Sequence, residues 1–162
     1  MGFTIRKYQE SDIPAMTELW NAVVRDANAF PQDEVMNEKE AAEFFAKQTF
    51  TGAAVTESGE LGGLYILHPN NIGRCGHLCN ASYAVSRKLR GRGIGEALVK
   101  HSLEKGKELG FRILQFNAVT ESNKGAQALY AKLGFTHVGT VPNGFLLPDG
   151  KYEAINLYYK EL

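Results

Sequence analysis

The sequence predicts one mixed α/β domain, a mixed sheet of about seven strands flanked by about four helices. Two observations carry this expectation. Short apolar or alternating runs are interleaved with stretches whose apolar residues recur every three or four positions, in the order β-α-α-β-β-β-α-β-α-β-β. No repeat, low-complexity tract or linker interrupts the 162 residues, so a single domain is expected over 1–162.

Phe3 to Lys7 reads as a first strand. Ser11 is expected to cap a helix whose apolar stripe runs through Ile13, Met16, Trp20, Val23, Val24 and Ala27. After the loop "NAFPQD", Asn37 and Glu40 have the spacing of a capping pair for a second helix ending near Lys47. Ala53–Glu57 and Leu61–Leu67 form a pair of strands around the "SGE" turn. "HPNNIGR" is a loop, and an apolar strand from about His77 to Val85 follows it.

A glycine-rich turn then leads into a helix from about Gly93 to Leu109, stopped by Gly110. Phe111 to Val119 is apolar on both faces and reads as a central strand. Lys124–Leu133 is a helix with Ala126, Leu129, Tyr130 and Leu133 on one stripe, closed by Gly134. Strands at about Phe135–Val141 and Lys151–Tyr159 complete the chain.

Composition narrows the function. Lys plus Arg and Asp plus Glu are both 18, which removes the basic excess of a nucleic-acid binder. No apolar run approaches the length of a membrane helix, and the charged start "MGFTIRKYQESD" has no signal-peptide core, so a cytoplasmic location is expected. "CGHLC" offers Cys75, His77 and Cys79 on one face of a strand, but no second ligand pair matches them, so no metal is expected and two free thiols are.

The informative stretch is "LRGRGIGEAL", Leu89 to Leu98. It lacks the Lys-Ser or Lys-Thr of a P-loop, and its G-x-G-x-G departs from the dinucleotide G-x-G-x-x-G. The physics of an anion cradle survives. A strand–turn–helix junction exposes unpaired N–H groups and the positive end of a helix dipole, and glycines let an anion approach. Arg90 and Arg92 add charge.

Arg90-x-x-Gly93-x-Gly95 after an apolar strand resembles the pyrophosphate loop of the GCN5-related N-acetyltransferases (GNAT). "NKGAQALYAKLGF", Asn123 to Phe135, is similar to the second half of that family's signature, at its usual separation from the first. The resemblance implies a mostly antiparallel, splayed sheet and acetyl-coenzyme A (acetyl-CoA) as donor. It places the pyrophosphate on Arg90, Gly91, Arg92, Gly93, Ile94, Gly95 and Glu96, chiefly through backbone groups. The pantetheine arm would lie beside the strand ending at Val85, whose N–H would stabilise the developing oxyanion. Tyr130 falls where the family has the tyrosine that protonates the departing thiolate. Asn123 would cap its helix and contact the coenzyme.

Asn80 and Asn117 interrupt apolar strands, where a buried amide needs partners. Each is either satisfied internally or turned toward a substrate. Within the family, His77, Cys79, Asn80 and Ala81, with Gln115, Phe116, Asn117 and Val119, are most similar to fungal N-acetyltransferases of proline analogues such as azetidine-2-carboxylate. There the two asparagines contact the amino-acid substrate. No Asp or Glu lies between Gly76 and Val85, which favours an α-amine over a lysine ammonium as acceptor, with a base from elsewhere, such as Glu57 acting through water, as the alternative.

The expected reaction is therefore direct acetyl transfer from acetyl-CoA to the primary or secondary amine of a small molecule. A protein or peptide acceptor, a silent acyl-CoA sensor, and a covalent route through Cys79 are the alternatives. No nucleic acid or membrane partner is expected, and the family analogy suggests a homodimer.

Overall fold

The computed structural model describes residues 2–162. Its strands and helices are β1 (Phe3–Lys7), α1 (Ile13–Asp26), α2 (Glu38–Lys47), β2 (Phe50–Thr56), β3 (Leu61–Pro69), β4 (Leu78–Val85), α3 (Ile94–Glu108), β5 (Ile113–Thr120), α4 (Lys124–Lys132), β6 (Thr136–Leu146) and β7 (Tyr152–Glu161). The strands form one sheet in the order β1-β2-β3-β4-β5-β7-β6. Every neighbouring pair is antiparallel except β4 and β5.

That exception organises the molecule. α3 is the crossover that a parallel pair requires. The parallel ladder holds for two residue pairs only, Leu78 with Ile113 and Cys79 with Leu114. Beyond them the strands separate, and the sheet opens into two leaves, β1–β4 and β5–β7. β5 is internal to the sheet, in keeping with its apolar sequence on both faces.

Strand alternation sends side chains to two cores. On one face Tyr65, Leu67, Cys79 and Ala81 pack with Leu98 and Val99 of α3 and Tyr130 of α4. On the other, Leu64, Ile66 and Ala84 pack with Met16 and Trp20 of α1 and Phe45 of α2. α3 lies close against β3 because Gly62 and Gly63 are there. A β-carbon on Gly62 would meet the Ile94 side chain at 2.7 Å, and one on Gly63 would meet the Leu98 side chain at 2.9 Å.

Local signals account for most boundaries. Asn37 and Glu40 form the reciprocal cap of α2, with Glu40 N–H donating to Asn37 Oδ1 and Asn37 N–H to Glu40 Oε2, both at 2.9 Å. Ser11 does not cap α1. A short 3₁₀ turn, Glu10–Asp12, leads into it instead, with Pro14 in the first turn. Asp12 orders this entry by accepting from Gln9 N–H at 2.7 Å and from both Arg6 guanidinium nitrogens at 2.7 and 3.0 Å.

Cys75, His77 and Cys79 do not share a strand face. Cys75 ends a 3₁₀ turn and is exposed, His77 precedes β4, and Cys79 is buried within it. "GRC" turns because Gly73 takes a positive φ of 56°, which cancels the alternation the sequence suggested. β6 runs five residues beyond Val141, because it pairs with β7 through two register shifts.

Candidate active site

The separation of β4 from β5 opens a cavity of about 580 Å³ through the sheet. Gly95 and Val99 of α3 and Asn123, Ala126, Leu129 and Tyr130 of α4 line one side. Residues 29–32, with Phe44 and Gln48 of α2, line the other. Residues of β4 and β5 form the seam between the two halves.

The ladder determines which backbone groups face the gap. Asn70 N–H donates to the Leu78 carbonyl at 2.8 Å, and Ser86 N–H to the Gly62 carbonyl at 2.9 Å. Even-numbered residues of β4 therefore bond toward β3. By alternation, N–H and C=O of Ala81, Tyr83 and Val85 point toward β5, which is no longer within reach. Val85, singled out from sequence, thus offers an N–H to the cavity, and Tyr83 offers another.

After β4 a 3₁₀ turn, Arg87–Leu89, buries Leu89 and delivers the chain to Arg90. Gly91 and Gly93 adopt φ of 76° and 78°, the left-handed region that disfavours a β-carbon. Nothing lies within 4 Å of where a β-carbon on either would project. The first intrahelical bond of α3 runs from Ala97 N–H to the Gly93 carbonyl at 3.0 Å. The N–H groups of Ile94, Gly95 and Glu96 consequently point out of the helix start, with the positive end of the dipole behind them.

Ile94 anchors this end by burying its side chain. Arg90 and Arg92 are exposed beside it. Glu96 turns its carboxylate outward to Lys100 at 2.7 Å and Lys132 at 2.6 Å. Those two ammonium groups hold its carboxyl down at about 2. Its contribution to an anion cradle is the backbone N–H, and Lys132 serves the Glu96 pair. The open backbone, the glycine turn and the helix start together suit a phosphorylated ligand with an extended arm along β4.

Tyr130 emerges from α4 beneath this end. Its ring stacks on Phe116 at 4.3 Å and packs near Phe135 and Tyr158 at 5.3 and 5.7 Å. No described residue bonds to its hydroxyl, and no buried side-chain oxygen or nitrogen among the described residues lacks a partner, so that hydroxyl opens into the cavity. Burial pushes its pKa above the ordinary tyrosine value and keeps it protonated. Asn123 caps α4 by accepting from Ala126 N–H at 3.2 Å while lining the same cavity. Cys79 faces the α3-side core, donates to the Ile113 carbonyl at 3.3 Å and is pushed up to about 12 by desolvation. It is a packed thiol and no nucleophile.

Asn80 and Asn117 meet the cavity from opposite leaves. Asn80 Nδ2 donates to the Gln115 carbonyl at 2.8 Å, directly above the last parallel pair, and bridges the start of the split. Because a carbonyl can only accept, this bond fixes the amide orientation and leaves Oδ1 as an acceptor. Asn117 sits in the irregularity of β5 between Phe116 and Val119, where pairing with β7 shifts. Its amide pairs reciprocally with Asn70 at 2.6 and 3.3 Å and accepts from Gln115 Nε2 at 3.1 Å. Asn117 therefore ties the β3–β4 loop to β5 at the mouth of the cleft, whereas Asn80 keeps a free acceptor.

Sequence reasoning missed the far wall. The sequence marks "NAFPQD", residues 28–33, only as a loop, yet Phe30 packs at a tilt on Trp20 with ring centroids 4.3 Å apart. Asn21 brackets the Met36 peptide at 2.7 and 3.0 Å, and Thr120 Oγ1 donates to the Asn28 carbonyl at 2.6 Å. These anchors hold Ala29–Gln32 over the cavity. His68 and Gln48 also line it, and neither belonged to a recognisable motif. Glu57 lies in the β2–β3 turn, outside the cavity lining.

Comparison with known proteins agrees with this geometry. The model of the acetyltransferase (GNAT) family matches residues 14–135. The N-acetyltransferase aca1 of Schizosaccharomyces pombe is 28% identical over 151 residues, covering 83% of this chain and 72% of its own. A GCN5-related N-acetyltransferase from Kribbella flavida superposes with a TM-score of 0.91 at 30% identity, over 99% of this chain and 98% of that one. A phosphinothricin acetyltransferase from Sinorhizobium meliloti, solved in complex with acetyl-CoA, shares the fold with a TM-score of 0.91 at 23% identity, over 100% of this chain and 89% of that one. The split sheet is that of a known scaffold, and the chain belongs to the GNAT family of acetyltransferases.

Proposed function

We propose that this acetyltransferase moves an acetyl group from acetyl-CoA to the primary or secondary amine of a small, amino-acid-like molecule by direct attack. The observation that carries the reading is the two-sided cavity. Its α3–α4 side combines open N–H groups with the Tyr130 hydroxyl, and its other side holds the free Asn80 acceptor under an anchored loop. A phosphinothricin acetyltransferase of the same fold bound to acetyl-CoA supports the donor.

The residues divide the work as follows. N–H groups of Gly91 to Glu96 hold the pyrophosphate, with Arg90 and Arg92 at its edge. The open edge of β4 takes the pantetheine as an added strand, and an N–H of Val85 or Tyr83 faces the thioester oxygen, where charge develops. Asn80 Oδ1 accepts from the amine and aims its lone pair, with Asn117 holding the opposite leaf in place. As the carbon–sulfur bond breaks, Tyr130 gives its proton to the thiolate and is reprotonated from the acylated nitrogen.

Among the described residues, no Asp, Glu, Lys or Arg lines the cavity. This favours an acceptor with little net charge over a dianionic amino acid, which would demand cationic partners. Proline analogues satisfy that condition. The reading is tested by assaying coenzyme A thiol release with a panel of azetidine-2-carboxylate, proline, other amino acids and short peptides. Release with small amino acids but not peptides is expected. Turnover confined to peptide amines would sink the small-molecule acceptor, and thiol-free binding of acetyl-CoA would indicate a sensor. The exposed Val138, Val141, Leu146 and Tyr152 of the β6–β7 hairpin support a homodimer through that edge, which light scattering would measure.

A further inference from the structure

Direct attack requires the amine without its extra proton, and an aliphatic ammonium is mostly protonated at neutral pH. Some group must take that proton. Cys79 is committed to its carbonyl and core, and Glu57 is outside the cleft. The titratable side chains lining the cavity are His68, Tyr83 and Tyr130. Tyr83 is engaged in a bond to Ser102 Oγ at 2.7 Å. Ser102 gives its own hydrogen to the Val99 carbonyl, so Tyr83 is the donor in that pair. Tyr130 holds its proton for the leaving group. His68 remains.

Its placement suits the task. His68 stands directly opposite Asn80 in the β3–β4 ladder, so the two side chains leave the same sheet face with β-carbons about 5 Å apart. That face carries Ile66, Phe44 and Gln48, the half of the cavity away from α3 and α4. His68 Nδ1 lies 2.9 Å from the Pro69 carbonyl. A carbonyl cannot donate, so Nδ1 carries the hydrogen and the neutral ring keeps its lone pair on Nε2. No described residue bonds to that nitrogen. No Asp, Glu, Lys or Arg from β3, β4 or α2 lines the cavity beside it.

We propose that His68 is the general base of the reaction, receiving through Nε2 a proton from the ammonium held at Asn80, directly or through one water. The inference rests on the acetyl-transfer reading above. The proton balance closes. The ammonium gives one proton to His68, which passes it to solvent. The free amine attacks and the carbon–sulfur bond breaks. Tyr130 protonates the thiolate, and the second nitrogen proton restores Tyr130.

The test compares wild type with His68→Gln and His68→Ala, using the panel amine that gives the fastest thiol release and close analogues of graded basicity. At pH 7 with a strongly basic amine, kcat/KM is expected to fall ~10²-fold, the lower range for a general base. The loss should shrink steadily as pH rises toward the amine's own pKa, and should nearly vanish with an amine already neutral at pH 7. Acetyl-CoA affinity by calorimetry should be unchanged in both variants. A loss of equal size at every pH and with every amine would mean that His68 only shapes the pocket, and full activity at pH 7 would equally overturn the proposal. If wild type itself binds acetyl-CoA but releases no thiol with any amine, the transfer reading fails first and the base falls with it.

Discussion

Replacing Tyr130 with phenylalanine separates its chemistry from its packing. The ring contacts to Phe116, Phe135 and Tyr158 are all retained by phenylalanine. The hydroxyl makes no bond to a described residue, so its removal strands no partner. Thermal stability should therefore change by less than ~0.5 kcal/mol, about 1–2 °C in Tm for a chain of this size. Turnover should instead fall ~10²-fold, equivalent to about 2.7 kcal/mol of transition-state stabilisation. The assay is thiol release at saturating acetyl-CoA beside a melting curve. Burial raises the Tyr130 pKa, so its neutral, proton-donating form persists above the ordinary tyrosine range. The ratio of wild-type to variant rates should stay flat from pH 6 to about 9. An unchanged turnover in the variant, or a ratio that decays across neutral pH, would refute the acid role.

Three further outcomes probe the rest of the site. Gly93→Ala puts a β-carbon at φ 78°, which costs about 1–2 kcal/mol. It should lower Tm by a few degrees and raise the KM for acetyl-CoA more than that for the acceptor. Asn21→Ala leaves both polar groups of the Met36 peptide unpaired, a loss of about 1–3 kcal/mol. Loosening the 27–37 loop should raise the acceptor KM while acetyl-CoA affinity by calorimetry holds. Arg6 holds the Asp12 carboxyl below its ordinary value, so the stability it contributes is present above pH ~4 and disappears as pH falls through the folded value. Melting curves of Asp12→Asn should lie below wild type at pH 7 and converge with it in acid.

The half of the site proposed to hold the donor was legible because its geometry is local. Arg90 to Glu96 is one contiguous turn whose glycine φ values and helix start follow from residues adjacent in sequence. Tyr130 stood out through its motif, and the apolar stripe around it placed it on a buried helix face. The half proposed for the acceptor was legible only in Asn80 and Asn117, polar interruptions of apolar strands. Their roles then differed, because Asn117 falls in a β-strand irregularity that no residue pattern announces. The alternation through "CGHLC" failed for a related reason, since one glycine with positive φ ended the strand before it began.

By itself the sequence determined element order and pointed to the family, and it carries the expectations of a single domain over residues 1–162 and of an anion cradle at Arg90 to Glu96. Element order follows from periodicity and turn chemistry and the family from the resemblance of two short motifs, all of which are read over a few residues. Only the tertiary structure decided where β4 and β5 part, which N–H groups that leaves open, and how α1 and Thr120 seat the loop over the cavity. It also set His68 beside Asn80, twelve positions along the chain, through a strand register that the side chains do not spell out locally. Register comes from burying two faces at once, and that constraint exists only once both cores have formed.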